Sequence, residues 1–92
     1  MYTVKPKNAN RFRHDYARLS HREREKVRSA LKQLAENPRP PGCICLEKTY
    51  YRMRVGDIRI LYQIIDAEKL VLVGLISRRN EKTYKDWKQY FK

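Results

Sequence analysis

Three arginines around one short turn are the residues of this chain best suited to chemistry. Gly56-Asp57 interrupts a run rich in Tyr, Ile, Val and Leu, and a two-residue loop with glycine first is typical of a type II′ hairpin turn. Such a turn would set Arg54 directly opposite Arg59, with Arg52 two residues before Arg54. Because side chains alternate between the faces of a sheet, these three arginines share one face. The other face is the predicted core face: Tyr51, Met53, Val55, Ile58, Ile60 and Tyr62.

The arginine face is unfavourable for folding alone, which indicates a bound anion. Like charges directly opposite each other destabilise a sheet, and arginine cannot relieve the repulsion by losing its proton. Its planar guanidinium binds phosphate through two parallel hydrogen bonds. The face is therefore a predicted phosphate site. The alternative is that the arginines are solvent-exposed charges of a very basic chain, or that they pair with acidic groups elsewhere in the fold.

The overall charge points to a polyanionic partner. Lys and Arg number 22 against 10 Asp and Glu, which gives a net charge of +12 over 92 residues. The partner could be nucleic acid, an anionic membrane surface or an acidic protein. No apolar run approaches the roughly 20 residues that span a bilayer, and the first residues lack the apolar run of a secretion signal. We expect a cytoplasmic protein without a membrane partner, folded as one domain over residues 1–92.

Other residue types give weaker signals. Cys43 and Cys45 are separated by one residue without a second pair, which is poor evidence for zinc, so we expect reduced loop thiols. His14 and His21 lie on or beside predicted helices, away from the arginines. Two histidines could act as acid and base in RNA cleavage, but nothing in the sequence places these two together. We expect no metal and no cofactor.

The first half of the chain predicts a strand and two helices. A short strand is predicted from Tyr2 to Lys5, and an amphipathic helix follows it. Ser20 and Glu23 have the spacing of a capping box at the start of a second helix. Asn37-Pro38 ends that helix, because the residue before proline disfavours the helical conformation.

The second half predicts a sheet and a last short helix. The run from Tyr50 to Ile76, with turns at Gly56-Asp57 and at residues 66–69, indicates three consecutive antiparallel strands. The predicted architecture is α+β, an antiparallel sheet packed on two N-terminal helices, followed by a short C-terminal helix. That last helix carries four residues at helical spacing: Thr83, Tyr84, Trp87 and Phe91.

Two segments of this sequence resemble the RelE/ParE toxin superfamily. The run from Tyr51 to Ile64 is similar to the central signature of these toxins, and Arg78 to Tyr84 is similar to their C-terminal motif. The resemblance implies a RelE-like, microbial-RNase-type β-α-α-β-β-β fold and a type II toxin–antitoxin pair. For RelE-type members it implies an endoribonuclease that enters the ribosomal A site, where the 2′-hydroxyl of the mRNA attacks the adjacent phosphate. The implied partners are a cognate antitoxin, the ribosome and mRNA, with no small-molecule substrate.

The resemblance also assigns residue roles. Arg59 and Arg78 occupy the positions of phosphate binders, and Tyr84 that of a tyrosine which orients or stacks the RNA. RelE-type toxins commonly carry lysines where this chain has Arg52 and Arg54. An arginine is not a plausible proton acceptor, which leaves Tyr84, a ribosomal group or water as general base. Further RNA contacts are expected from Arg79, Lys48 and Lys82.

Two other functions stay open on the same fold. A ParE-like toxin would inhibit DNA gyrase by binding, without catalysis of its own. A non-catalytic RNA-binding module would use the charge alone. The joint presence of Arg59, Arg78 and Tyr84 favours RNA cleavage, because a gyrase inhibitor does not need them.

Overall fold

The strands and helices follow the predicted order, with one additional strand. The computed structural model describes residues 1–79 and 82–92, and of residues 82–84 the backbone only. The described elements are β1 Thr3–Pro6, α1 Ala9–Ala17, α2 His21–Glu36, β2 Ile44–Glu47, β3 Tyr50–Val55, β4 Ile58–Ile65, β5 Leu70–Arg78 and a C-terminal 3₁₀ segment Lys82–Phe91. No helix among them is long and apolar enough to cross a membrane.

The additional strand is β2, which sequence patterning missed. It has four residues, of which one is partly buried, so it shows no strong alternation. Its hairpin with β3 turns at Lys48, which adopts a left-handed φ of 52°. Lysine is not a typical residue for that conformation, and the turn therefore lacked its usual glycine or asparagine signal.

Both α-helices begin at side-chain caps. The Asn8 side chain accepts a hydrogen bond from the Arg11 N–H at 2.9 Å. At the start of α2, the Glu23 N–H donates to the Ser20 hydroxyl at 3.2 Å, and the Ser20 N–H donates to the Glu23 carboxylate at 2.8 Å. The predicted capping box is confirmed, and α2 ends just before Asn37-Pro38 as predicted.

The sheet has the order β1-β5-β4-β3-β2. The β3–β4 hairpin has the predicted register, with Val55 opposite Ile58 and Arg54 opposite Arg59. Gly56 has a φ of 60°, the left-handed conformation that the first position of a type II′ turn requires. The sheet is mixed and not purely antiparallel, because β1 pairs parallel with β5. The chain passes from β1 at one edge through both α-helices to β2 at the other edge, and three successive antiparallel pairings then bring β5 beside β1.

The two α-helices cover one face of the sheet. Apolar residues of α2 and the predicted core face of β3 and β4 meet there, and burial of that face confirms the prediction. The fully or nearly buried side chains of this core are Leu19, Val27, Ala30, Leu34, Met53, Ile58, Ile60, Tyr62, Ile64, Val71, Val73 and Ile76, with Tyr51 and Val55 partly buried beside them.

One buried carboxylate closes the edge of β5. β1 pairs only with Leu70 to Val73, which leaves the second half of that edge open. Asp15 of α1 covers it: the residue is 1% exposed, and its carboxylate accepts a hydrogen bond from the Ile76 N–H at 3.1 Å. The Arg11 guanidinium contacts the same carboxylate at 3.0 Å, so the buried charge is paired.

The C-terminal segment lies on the face opposite the α-helices, where helices on a single face were expected. Tyr50 precedes the core residue Tyr51 in β3, so its side chain lies on the opposite face of the sheet. Its ring contacts Trp87 and Phe91 with centroid distances of 5.2 and 4.9 Å. A Cβ atom on Gly74 would lie 2.5 Å from the Phe91 ring. A side chain at position 74 would therefore displace the Phe91 ring where this segment crosses β5.

Candidate functional site

Three arginines extend along the face of the sheet opposite the α-helices. Arg54 and Arg59 are direct cross-strand partners, and Arg52 pairs with Leu61. Opposed residues in an antiparallel pair have Cα atoms about 4.5–5.5 Å apart. Arg54 is exposed, whereas Arg52 and Arg59 are partly buried. The structure confirms that these three arginines lie on one face of the sheet, as predicted.

A pocket lies where this face meets the end of the sheet. Asp57 of the hairpin turn accepts a hydrogen bond through its carbonyl from the Arg79 N–H at 2.7 Å, which ties the end of β5 to the turn. The pocket encloses about 490 Å³. Among the described residues it is lined by three arginines and two carboxylates, which leaves one positive charge in excess: Arg59, Arg78, Arg79, Glu23 and Asp57. We call this the arginine pocket.

Arg78 reaches the pocket from the helix side of the sheet. It is the last residue of β5 and pairs with Ile58, whose side chain lies on the core face. Its Nη2 donates to the Arg18 carbonyl at 2.9 Å and to the Glu23 carboxylate at 3.0 Å. Arg59 approaches from the opposite face, so the two arginines converge from both sides at the end of the sheet.

The Glu23 carboxylate is held in its charged form. The hydrogen bond from the Ser20 backbone lowers the pKa of Glu23 most; burial opposes it, and the hydrogen bond and charge of Arg78 lower the pKa further. An ionised carboxylate therefore stands beside Arg78 at neutral pH. It neutralises part of the charge at one wall of the arginine pocket.

One further predicted RNA-binding residue, Lys48, does not join this group. Lys48 lies in the turn between β2 and β3, at the far end of β3 from Gly56-Asp57. The six residues of β3 span about 20 Å at the usual rise per residue, which separates Lys48 from the arginine pocket. The side chains of Lys82 and Tyr84 lie outside the described residues.

The histidines and cysteines lie apart from the arginine pocket. His14 and His21 both contact carboxylates of their own helices, at 3.4 and 3.3 Å. Cys43 and Cys45 are free thiols. Within the described part of the chain, no group of three histidine, cysteine or acidic side chains is placed to hold a metal ion.

Sequence reasoning missed two pocket residues and a neighbouring lysine. Glu23 and Asp57 were interpreted only as a helix cap and a turn residue, although each also lines the pocket. Lys26 follows Glu23 by one helical turn, and its Nζ lies 3.6 Å from the position that a Cβ on Gly56 would occupy. The helical spacing of Glu23 and Lys26 was a usable signal, because residues three apart share a helix face.

Comparisons with known proteins agree with this architecture. The family described as "ParE toxin of type II toxin-antitoxin system, parDE" matches residues 7–82. The isolated RelE toxin of E. coli is 18% identical, with a TM-score of 0.73 over 97% of each chain. The chain in the RelE–RelB complex of Pyrococcus horikoshii OT3 is 23% identical, with a TM-score of 0.77 over 87% of this chain and 97% of that one.

A third similar structure is the toxin–antitoxin complex RelBE2 of Mycobacterium tuberculosis. Its chain is 24% identical, with a TM-score of 0.72 over 85% of this chain and 98% of that one. At these identities the likeness shows the fold. No curated protein sequence matches the chain. Because the family match covers α1 through the end of β5, the chain belongs to the RelE/ParE superfamily of type II toxin–antitoxin toxins.

Proposed function

We propose that this toxin is a ribosome-dependent endoribonuclease that cleaves mRNA in the ribosomal A site, in the cytoplasm, and thereby inhibits translation. The observation that carries the proposal is the convergence of Arg59, Arg78 and Arg79 on one open pocket. Preorganised positive groups at a phosphate stabilise the charge that develops in the transition state, which is commonly the largest contribution to catalysis.

The reaction is a transesterification within the RNA. The 2′-oxygen forms a bond to the adjacent phosphorus as its hydroxyl loses a proton, and the bond to the 5′-oxygen of the next nucleotide breaks. The departing 5′-oxygen takes up a proton from water, so that a 2′,3′-cyclic phosphate and a 5′-hydroxyl result. Negative charge accumulates on the non-bridging oxygens. Arg59 and Arg78 would contact these oxygens from the two sides of the pocket, and Arg52 and Arg54 would bind flanking phosphates along β3.

Removal of the proton from the 2′-hydroxyl requires an acceptor that the arginines cannot supply. Among the described residues, two carboxylates line the pocket, Glu23 and Asp57. The Glu23 carboxylate already accepts hydrogen bonds from Ser20 and Arg78. We therefore assign the proton acceptor role to Asp57, with Tyr84 as a predicted group that orients or stacks the RNA.

The test is cell-free translation of a defined message followed by primer extension. The expected result is codon-specific breaks that require ribosomes. Arg59→Ala and Arg78→Ala should abolish the breaks and leave the domain folded, because each removes a charge that stabilises the transition state by several kcal/mol, roughly 10²-fold or more in rate. Arg13→Ala is the matched control, since Arg13 contacts only Asn10 on the exposed side of α1 among the described residues. Folded Arg59 and Arg78 variants with normal cleavage would refute the assignment.

A ParE-like gyrase inhibitor is the second candidate function. The observation that favours it is the family match, which carries the ParE description. Intact message together with trapped gyrase–DNA breaks would establish this alternative. RNA binding without breaks in either assay would leave a non-catalytic RNA-binding module.

A cognate antitoxin is the proposed protein partner. The similar toxins of P. horikoshii and M. tuberculosis are described in complexes with their antitoxins. Because the toxin has a net charge of +12, we expect an antitoxin with an acidic segment that covers the arginine face. Co-purification of the toxin with an acidic protein encoded beside it, and loss of cleavage when that protein is bound, would support this pairing.

A further inference from the structure

Arg78 is anchored through a single nitrogen. Its Nη2 donates to both the Arg18 carbonyl and the Glu23 carboxylate, at 2.9 and 3.0 Å. Among the described residues, neither Nε nor Nη1 of Arg78 makes a hydrogen bond. A guanidinium can thus be fixed in orientation and still present two donors to a phosphate in the arginine pocket.

Glu23 is itself rigidly placed. Its carboxylate accepts a hydrogen bond from the Ser20 N–H at 2.8 Å, and its own N–H donates to the Ser20 hydroxyl at 3.2 Å. The helix that begins at this capping box is anchored in the core by Val27 and Leu34, both with 0% exposure. The contact with Arg78 therefore connects the pocket to the helix–sheet core.

We infer that Glu23 is a positioning residue for the cleavage reaction, which holds the Arg78 guanidinium in the orientation that binds the scissile phosphate. The inference rests on the proposed function. A flexible arginine loses side-chain entropy when it binds an anion, and an anchored one has already lost it. The two residues are 55 positions apart in the chain, so only the folded structure brings them together.

Removal of Glu23 has different expected effects if the residue acts only through its charge and if it positions Arg78. Loss of a carboxylate would raise the positive charge of the arginine pocket and tighten RNA binding. Loss of a positioning contact lowers kcat, because misplacement of a catalytic group by about 1 Å can cost on the order of 10²-fold. A lower kcat with an unchanged or lower KM therefore separates positioning from charge.

The kinetic experiment compares Glu23→Ala and Glu23→Gln in ribosome-dependent cleavage. Glu23→Gln keeps the capping-box pattern, which accepts glutamine, and keeps a neutral acceptor for Arg78. Glu23→Ala should lower kcat by roughly tenfold to a hundredfold without raising KM, and Glu23→Gln should fall between Ala and wild type. Glu25→Gln, which contacts His21 on the same helix, removes an equal charge and should leave kcat unchanged.

A spectroscopic experiment on the free toxin tests the anchoring itself. In the wild type, ¹⁵N NMR should show restricted rotation of the Arg78 guanidinium about its Nε–Cζ bond, and Glu23→Ala should release it. Equal kcat in Glu23→Ala and wild type, a raised kcat, or an Arg78 signal insensitive to Glu23 would each overturn the inference. If the wild type cleaves no RNA, the proposed function fails. The Arg78 signal then still decides whether Glu23 holds the guanidinium.

Discussion

At the residue scale, the two carboxylates of the arginine pocket differ in their surroundings. Glu23 accepts hydrogen bonds from a helix cap and from Arg78. Asp57 contributes its backbone carbonyl to the end of β5, and among the described residues its carboxylate has no salt bridge. These surroundings suit the roles proposed for the two carboxylates, positioning for Glu23 and proton transfer for Asp57.

Asp57→Asn separates these two roles. Asparagine is compatible with turns and keeps the backbone carbonyl, so the fold should persist while the proton acceptor is lost. We expect ribosome-dependent cleavage to slow by on the order of 10²-fold, measured by single-turnover primer extension. Glu68→Gln, a charge-matched change in the distant β4–β5 turn, should leave the rate unchanged. A normal rate in Asp57→Asn would assign proton transfer to the ribosome or to water.

At the element scale, α1 and the C-terminal segment secure β5 from different directions. α1 closes the open edge of the strand through Asp15. The C-terminal segment lies over Gly74, and Lys88 links it to Glu47 of β2 at 3.0 Å. β5 ends at Arg78, so its placement decides the geometry of the arginine pocket.

Asp15→Ala should weaken this edge. The substitution leaves the buried Ile76 N–H and the Arg11 guanidinium without their acceptor, which costs about 1–3 kcal/mol of unfolding free energy. Urea denaturation followed by circular dichroism measures the loss. Asp15→Asn retains an acceptor oxygen and should lose less. Stability equal to wild type in Asp15→Ala would show that water satisfies the strand edge.

Gly74→Ala should displace the C-terminal segment. The added Cβ would lie 2.5 Å from the Phe91 ring, closer than packed atoms approach, so the ring must move. Trp87 is the only tryptophan of the chain, and it packs against Tyr50 and Phe91. Its fluorescence emission should shift to longer wavelength in Gly74→Ala. Phe91→Ala removes the clash. The double variant Gly74→Ala/Phe91→Ala should therefore have the same emission wavelength as Phe91→Ala alone.

At the scale of the whole molecule, an ion-pair network lies at the end of the sheet away from the arginine pocket. Arg39 donates to both oxygens of Asp66 at 3.2 and 2.8 Å and to the Tyr51 hydroxyl at 3.1 Å. Tyr2 donates to the same carboxylate. The network connects the start of the chain, the loop after α2 and the β4–β5 turn, which are distant in sequence.

Asp66 of this network and Glu23 of the arginine pocket both make the folded protein less stable as pH falls. Hydrogen bonds from Arg39, and then from Tyr2, lower the pKa of Asp66, and the pKa of Glu23 is lowered as well. As pH falls, these two carboxylates therefore take up protons in the unfolded chain before they do so in the folded one. The contribution is fully present above the ordinary values of 3.8 and 4.5 and is lost as pH falls through the lowered ones. Urea midpoints should drop from pH 7 to pH 3, and less so in Asp66→Asn.

The local features were predictable from sequence because neighbouring residues decide them. The two-residue turn at Gly56-Asp57 determined the register of β3 and β4, and alternation then placed Arg52, Arg54 and Arg59 on one face. The capping box of α2 is a contact within four residues. Weak local signals failed, as at β2, where a lysine occupies the left-handed turn position.

The sequence by itself therefore determined the arginine face and the α+β order, since both follow from local geometry and periodicity. Only the tertiary structure decided which residues meet at the arginine pocket. It joined Arg78 to Glu23, placed Lys48 at the far end of β3 and set the C-terminal segment on the face opposite the α-helices. These contacts join residues far apart in the chain, and the packing of helices and strands, not residue spacing, brings them together.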